Sequence, residues 1–213
     1  MLSITCSHHH LNMKSSLLLL EGDQPDVVHA KPAGLDVVAP HPSASEVFNG
    51  EYLCVPPSPA FDAKANNIAL PDPVGSYHAY IANNFYRLDD FPEPVRSHFA
   101  QLPAFRWTPK TKQWRKAAVA YDTKNMLLWA RATGPEQFLL PRTWFERRLL
   151  KVGNELLYAD GHSNYLLEDG SVPKHSGSVL MVSTDNGQSF QRRATIAVDP
   201  RGRDLLVEPR LES

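Results

Sequence analysis

Ser183-Thr184-Asp185-Asn186-Gly187-Gln188-Ser189-Phe190 stands between an apolar run, Val179–Val182, and a second strand-like stretch that begins near Arg193. Its centre, Asn186-Gly187, is a dipeptide that accepts positive φ at both positions, so a tight hairpin turn is expected there. Asp185, just ahead of the turn, can accept bonds from backbone N–H groups, and Ser183 can hydrogen-bond across the hairpin. Phe190 is placed to fold back between sheets as an apolar plug.

Outward from this hairpin the same rhythm continues. From Ser76 onward, short apolar or aromatic runs alternate with turn residues, and the spacing predicts strands over Tyr77–Ala82, Ala104–Trp107, Ala117–Tyr121, Met126–Ala132, Trp144–Val152, Glu155–Ala159, Ser178–Ser183, Arg193–Val198 and Leu205–Val207. One helix is expected, over Pro94–Leu102. Strand candidates recur about every ten residues, the rhythm of antiparallel sandwiches, barrels and propellers. The fold class expected is therefore all-β. Nine of the eighteen prolines fall in residues 1–75, which lack a sustained period of either kind. That stretch reads as a disordered start followed by an irregular, extended Pro-rich segment (1–75), ahead of a β-domain over 76–213.

Composition narrows the function. With 22 basic and 23 acidic residues the formal charge is −1, which leaves no excess of cations to displace counterions from a polyanion. Nucleic acid is not an expected partner. Cys6 and Cys54 lie in no metal-ligand spacing, and His8, His9 and His10 read as a solvated run, so no metal and no cofactor are expected. The apolar run Leu17–Leu20 is too short to span a bilayer. GxGxxG, Walker A, HExxH and GxSxG patterns are all absent.

The octapeptide 183–190 resembles the Asp-box, S-x-D-x-G-x-[ST]-[WF], of the sialidase-like six-bladed β-propellers, also called BNR repeats; Phe190 stands where Trp is commoner. In that family the box is a folding device, so Ser183, Asp185, Gly187 and Phe190 are structural rather than catalytic under this resemblance. A degraded candidate, Trp107 to Trp114, keeps the terminal aromatic but has neither Asp nor Gly, and does not count as a repeat. The resemblance implies a partial propeller of about three blades, because a blade takes roughly 40–50 residues. The active site is then incomplete in this chain, with C-terminal blades or a partner needed to finish it. The family also implies a secreted or periplasmic setting, although no convincing signal peptide is legible.

Further residues carry the likeness. Leu140-Pro141-Arg142 ahead of a strand resembles the setting of the first arginine of the family's carboxylate-binding triad, with Thr143-Trp144 departing from the usual Ile-Pro. A planar guanidinium grips a sugar carboxylate with paired charge-assisted bonds, the role the resemblance implies for Arg142. Asp160 and His162, on the next strand, are further candidates for substrate contact; His162 stands where a second arginine is usual. The resemblance implies a general acid/base in the loop after that strand. Asp169 is the candidate that would protonate the leaving oxygen, with Glu168 and Asp160 as rivals. Glu208, in Asp204-Leu205-Leu206-Val207-Glu208-Pro209, resembles the glutamate that activates a tyrosine nucleophile. The implied activity is hydrolysis of terminal sialic or related acidic sugars. The alternative is a non-catalytic Asp-box fragment that binds carbohydrate or protein. The large aromatics Trp107, Trp114, Trp129, Tyr158 and Phe190 read as core rather than as sugar-stacking platforms.

Overall fold

The computed structural model describes residues 2–6, 14–24, 27–38, 44–55, 60–78, 82–108, 110–111, 113–135, 137–140, 149–163, 165–174 and 177–198; before residue 49, and at 77–78, 82 and 161–163, the description is of backbone alone. In chain order the strands are β1 (Leu2–Cys6), β2 (Lys14–Gln24), β3 (Val27–Val38), β4 (Ala44–Phe48), β5 (Glu51–Val55), β6 (Phe61–Asp62), β7 (Gly75–His78) and β8 (Ala82–Arg87). After a 3-10 turn at Leu88–Asp90 and helix α1 (Glu93–Ala100) come β9 (Gln101–Thr108), β10 (Gln113–Tyr121), β11 (Leu127–Arg131) and β12 (Phe138–Leu139). The chain continues through β13 (Leu150–Val152), β14 (Glu155–Ser163), β15 (Gly177–Ser183) and β16 (Ser189–Ala197). The described residues are predominantly β, with α1 and the short 3-10 turn the helical parts.

Eight strands form one sheet in the order β13-β14-β15-β16-β10-β9-β5-β4. Its neighbours pair antiparallel except β10 and β16, which meet in parallel at Ala120↔Ser189 and Tyr121↔Phe190. The sheet curls into a half-barrel until its outer strands β13 and β4 approach each other. Opposite lies the sheet β7-β8-β11, which the Trp129↔Leu140 bridge links to β12 and β6. Strands β1, β2 and β3 form a separate antiparallel sheet.

Side-chain alternation assigns the faces. Leu53 and Val55 of β5, Leu102 and Ala104 of β9, and Val119 and Tyr121 of β10 face a single core with Leu156 and Tyr158 of β14. The opposite face of the same strands carries Tyr52, Cys54, Phe105 and Trp107, with Trp114 packed against them. Tyr52 and Trp114 meet edge to face, their ring centroids 5.6 Å apart. Helix α1 begins at a proline-rich stretch, where a missing N–H costs nothing, and buries Val95 and Phe99. It ends as Gln101 turns extended into β9.

The helix occupies 93–100 where the sequence predicts 94–102. The difference is larger at the amino end, where residues before 76 read as irregular. There β5 is a full member of the curled sheet, pairing with β9 from Tyr52↔Trp107 to Cys54↔Phe105. The prolines lie outside its five residues, and β5 is buried on both faces, so it has no alternation to read. The strand candidate Leu205–Val207, and residues 144–148 of the candidate Trp144–Val152, lie outside the described residues. The architecture described is a curled sheet facing a smaller one.

Candidate functional site

The turn between β15 and β16 is densely hydrogen-bonded. Asn186 and Gly187 take φ of 64° and 70°, the left-handed pair expected of Asn-Gly. Asp185 Oδ1 accepts the backbone N–H of Gln188 at 3.0 Å and of Ser189 at 2.9 Å, together with the Ser183 hydroxyl at 2.8 Å. Asp185 Oδ2 accepts the Ser189 hydroxyl at 2.5 Å. The Gly187 N–H donates to Ser183 Oγ at 2.8 Å. Burial opposes ionisation of Asp185, but the bonds from Ser189, Ser183 and Gln188 outweigh it and hold the carboxyl below its ordinary range. Phe190, fully buried, plugs the core immediately after the turn.

The turn is also clamped from across the sheet. Arg106 of β9, itself 4% exposed, donates from Nη2 to the carbonyl oxygens of Asn186 and Gly187 at 2.9 and 2.7 Å. Its Nη1 donates to Glu51 Oε2 at 3.0 Å, and Arg115 donates to Glu51 Oε1 at 3.0 Å. Arg106 and Arg115 stand directly opposite in the β9–β10 register, so Glu51 offsets a pair of like charges. The two guanidinium bonds outweigh the burial of Glu51 and keep its carboxyl below the usual range. A β-carbon on Gly187 would overlap the Leu53 side chain and lie 3.3 Å from Leu156 Cδ1. Leu53 and Leu156 belong to strands near opposite ends of the sheet order. Gly187 therefore packs between these two strands of the half-barrel, while Thr184 and Gln188 of the same turn are exposed.

A second polar group lies within the core. Asp160 of β14 is fully buried, and the Tyr121 hydroxyl donates to its Oδ2 at 2.8 Å. The Tyr165 hydroxyl donates to the Asp122 carbonyl at 2.9 Å, and the Arg192 guanidinium lies 4.8 Å from the Tyr165 ring centroid. Burial first, then the nearby Asp160 charge, push both Tyr121 and Tyr165 well above the ordinary phenol range. Neither is a ready phenolate. The adjoining cleft, lined by Tyr165, Leu166, Pro173, Gly177, Val179 and Thr195, has room for about one water molecule.

Asp169 lies instead in an exposed turn. Its Oδ1 accepts the Ser171 hydroxyl at 2.6 Å and the Ser171 N–H at 2.9 Å, and these bonds hold its carboxyl below the ordinary range. Its rival Glu168 is likewise exposed. Asp160, the other rival, is sealed in the core. Arg142 and Glu208 lie outside the described residues, as does the side chain of His162. The structure thus brings together Ser183, Asp185, Gly187 and Phe190, and it gives Asp160 and Asp169 opposite environments.

Sequence reasoning missed Arg106, Glu51 and Arg115, whose bonding depends on strand register. Tyr121 had a local signal, since it closes the apolar run Ala117–Tyr121. Among the described residues no group of three or more His, Cys, Asp or Glu side chains is arranged to hold a metal ion. Among the same residues no helix is long and apolar enough to cross a membrane. Comparison with protein-family models, with curated proteins and with solved structures gives no match.

Proposed function

We propose that this chain is an Asp-box β-module of the sialidase-like kind that binds carbohydrate without cleaving it. The observation that carries the reading is topological. The box turn joins the third and fourth strands of the antiparallel run β13-β14-β15-β16, and four antiparallel strands are the unit of a propeller blade. A second four-stranded run, β4-β5-β9-β10, adjoins it, with the Trp107–Trp114 stretch joining its own third and fourth strands. The ligand class, a terminal sialic or other acidic sugar, follows from the family resemblance.

Binding is favoured over cleavage by the state of the carboxylates. An acid that protonates a leaving oxygen needs a raised pKa. Asp169 is exposed and held ionised by Ser171, and Asp160 is enclosed by the core. A glycan array probed with the full chain and with Asp169→Ala tests this reading, alongside a fluorogenic sialoside. Retained binding by both proteins without sugar release is expected. A blank array removes the binding proposal, and release that disappears in Asp169→Ala replaces it with hydrolysis.

The second reading is the sialidase-like hydrolase that the resemblance implies, with Asp169 as the acid and Glu208 assisting a tyrosine. Its requirement is sialoside turnover that Asp169→Ala or Glu208→Ala abolishes while the variants keep the wild-type circular dichroism spectrum.

A further inference from the structure

Two turns of this chain carry the same dipeptide with positive φ at both of its residues. Asn49-Gly50 joins β4 to β5 with φ of 48° and 78°, and Asn186-Gly187 joins β15 to β16 with φ of 64° and 70°. Asparagine followed by glycine is the arrangement most open to cyclisation, because no β-carbon hinders the approach of the glycine nitrogen to the asparagine Cγ. The intrinsic chemistry of the two sites is therefore alike, and their surroundings decide the outcome.

Those surroundings differ in each respect that matters. Asn49 and Gly50 are both exposed, and a β-carbon built on Gly50 meets nothing within 4 Å. The tip can open locally without disturbing the core. Gly187 is buried, its N–H donates to Ser183 Oγ, and Arg106 donates to the carbonyls of Asn186 and of Gly187 itself. Freeing its nitrogen means breaking the Asp185 cage and drawing Gly187 away from Leu53.

We propose that Asn49 is a site of spontaneous deamidation and that Asn186 is shielded from the same reaction by its turn. The Gly50 nitrogen gives its proton to solvent base and bonds to Asn49 Cγ; the bond from Cγ to the side-chain nitrogen breaks, and that nitrogen takes a proton from solvent and leaves as ammonia. Water then adds to one carbonyl carbon of the cyclic imide and that carbon's bond to the ring nitrogen breaks: at Cγ this gives aspartate, at the main-chain carbonyl isoaspartate. The change introduces an anion two residues from Glu51, the carboxylate shared by Arg106 and Arg115. An isoaspartyl link also adds a backbone carbon to the turn that sets the Phe48↔Glu51 register. The exposed turn thus offers a covalent route to the clamp that grips residues 186 and 187.

The test is peptide mass mapping of the full chain during prolonged incubation in mildly alkaline buffer, with parallel samples in denaturing urea. In the folded protein Asn49 is expected to convert at least about tenfold faster than Asn186, and in urea the two rates converge. Ser183→Ala is expected to accelerate conversion at Asn186 and leave Asn49 unchanged. Equal rates in the folded wild-type protein, or faster conversion at Asn186, overturn the proposal. Should Ser183→Ala fail to fold, both of its sites convert at the urea rate, and the wild-type ratio still decides.

Discussion

Arg106 reaches from β9 to the carbonyl oxygen of Gly187, 2.7 Å away and 81 positions later in the chain. Because the guanidinium is buried and also bonded to Glu51, it ties a local turn to a distant strand pair. Removing it leaves two carbonyls and a carboxylate short of a donor. Arg106→Ala is expected to destabilise the fold by about 2–4 kcal/mol. Arg115→Ala, at a side chain 58% exposed, is expected to cost under about 1 kcal/mol. Urea denaturation of the two variants checks the contrast, and equal effects would remove the clamp's special role.

Gly187 is constrained twice, by its positive φ and by the closeness of Leu53. Gly187→Ala is expected to cost about 1–3 kcal/mol. A combined Gly187→Ala, Leu53→Ala protein is expected to lose less than the sum of the single losses, because the second substitution relieves the overlap created by the first. A double-mutant cycle in urea measures the coupling, and strict additivity would contradict it.

The turn and its hairpin were legible in the sequence because their chemistry is local: Asp185 bonds residues three and four positions on, and Asn186-Gly187 sets its own backbone. Arg106 was not legible, since its partners become neighbours only through the β5–β9 and β10–β16 pairings. The membership of β5 was hidden for a related reason: five residues buried on both faces, between a tight turn and a run of prolines, carry no periodic signature. At the candidate site, residue type alone could not separate Asp160 from Asp169. Only burial sets one against a tyrosine in the core and the other against a serine in solvent.

Acid should destabilise the protein through Asp185 and Glu51. Both carboxyls are held below their unfolded values, so their contribution is complete above the ordinary carboxylate range, roughly pH 4, and fades as pH falls through the lower folded values. Asp185→Asn is expected to flatten the acid limb of a stability–pH curve measured by urea titration. An unchanged limb would mean that the carboxylate cage contributes nothing in solution.

Alkali acts in the opposite sense. Tyr121 and Tyr165 have raised folded values, so their contribution is complete below about pH 10 and is lost as pH rises through the folded values. An ultraviolet titration is expected to show tyrosines that stay protonated beyond pH ~10 until the fold opens. Tyr121→Phe should remove one of them; ionisation of every tyrosine near its ordinary value in the folded protein would contradict the buried cluster.

The central claim is that the 183–190 turn, through its buried Gly187 and the Arg106 bonds to it, braces the half-barrel, and amide hydrogen exchange at Gly187 and Ser189 tests it most directly. Exchange of both amides through global unfolding, with protection that falls sharply in Arg106→Ala, is the predicted result. Exchange as fast as at the exposed Asn49-Gly50 turn would contradict it.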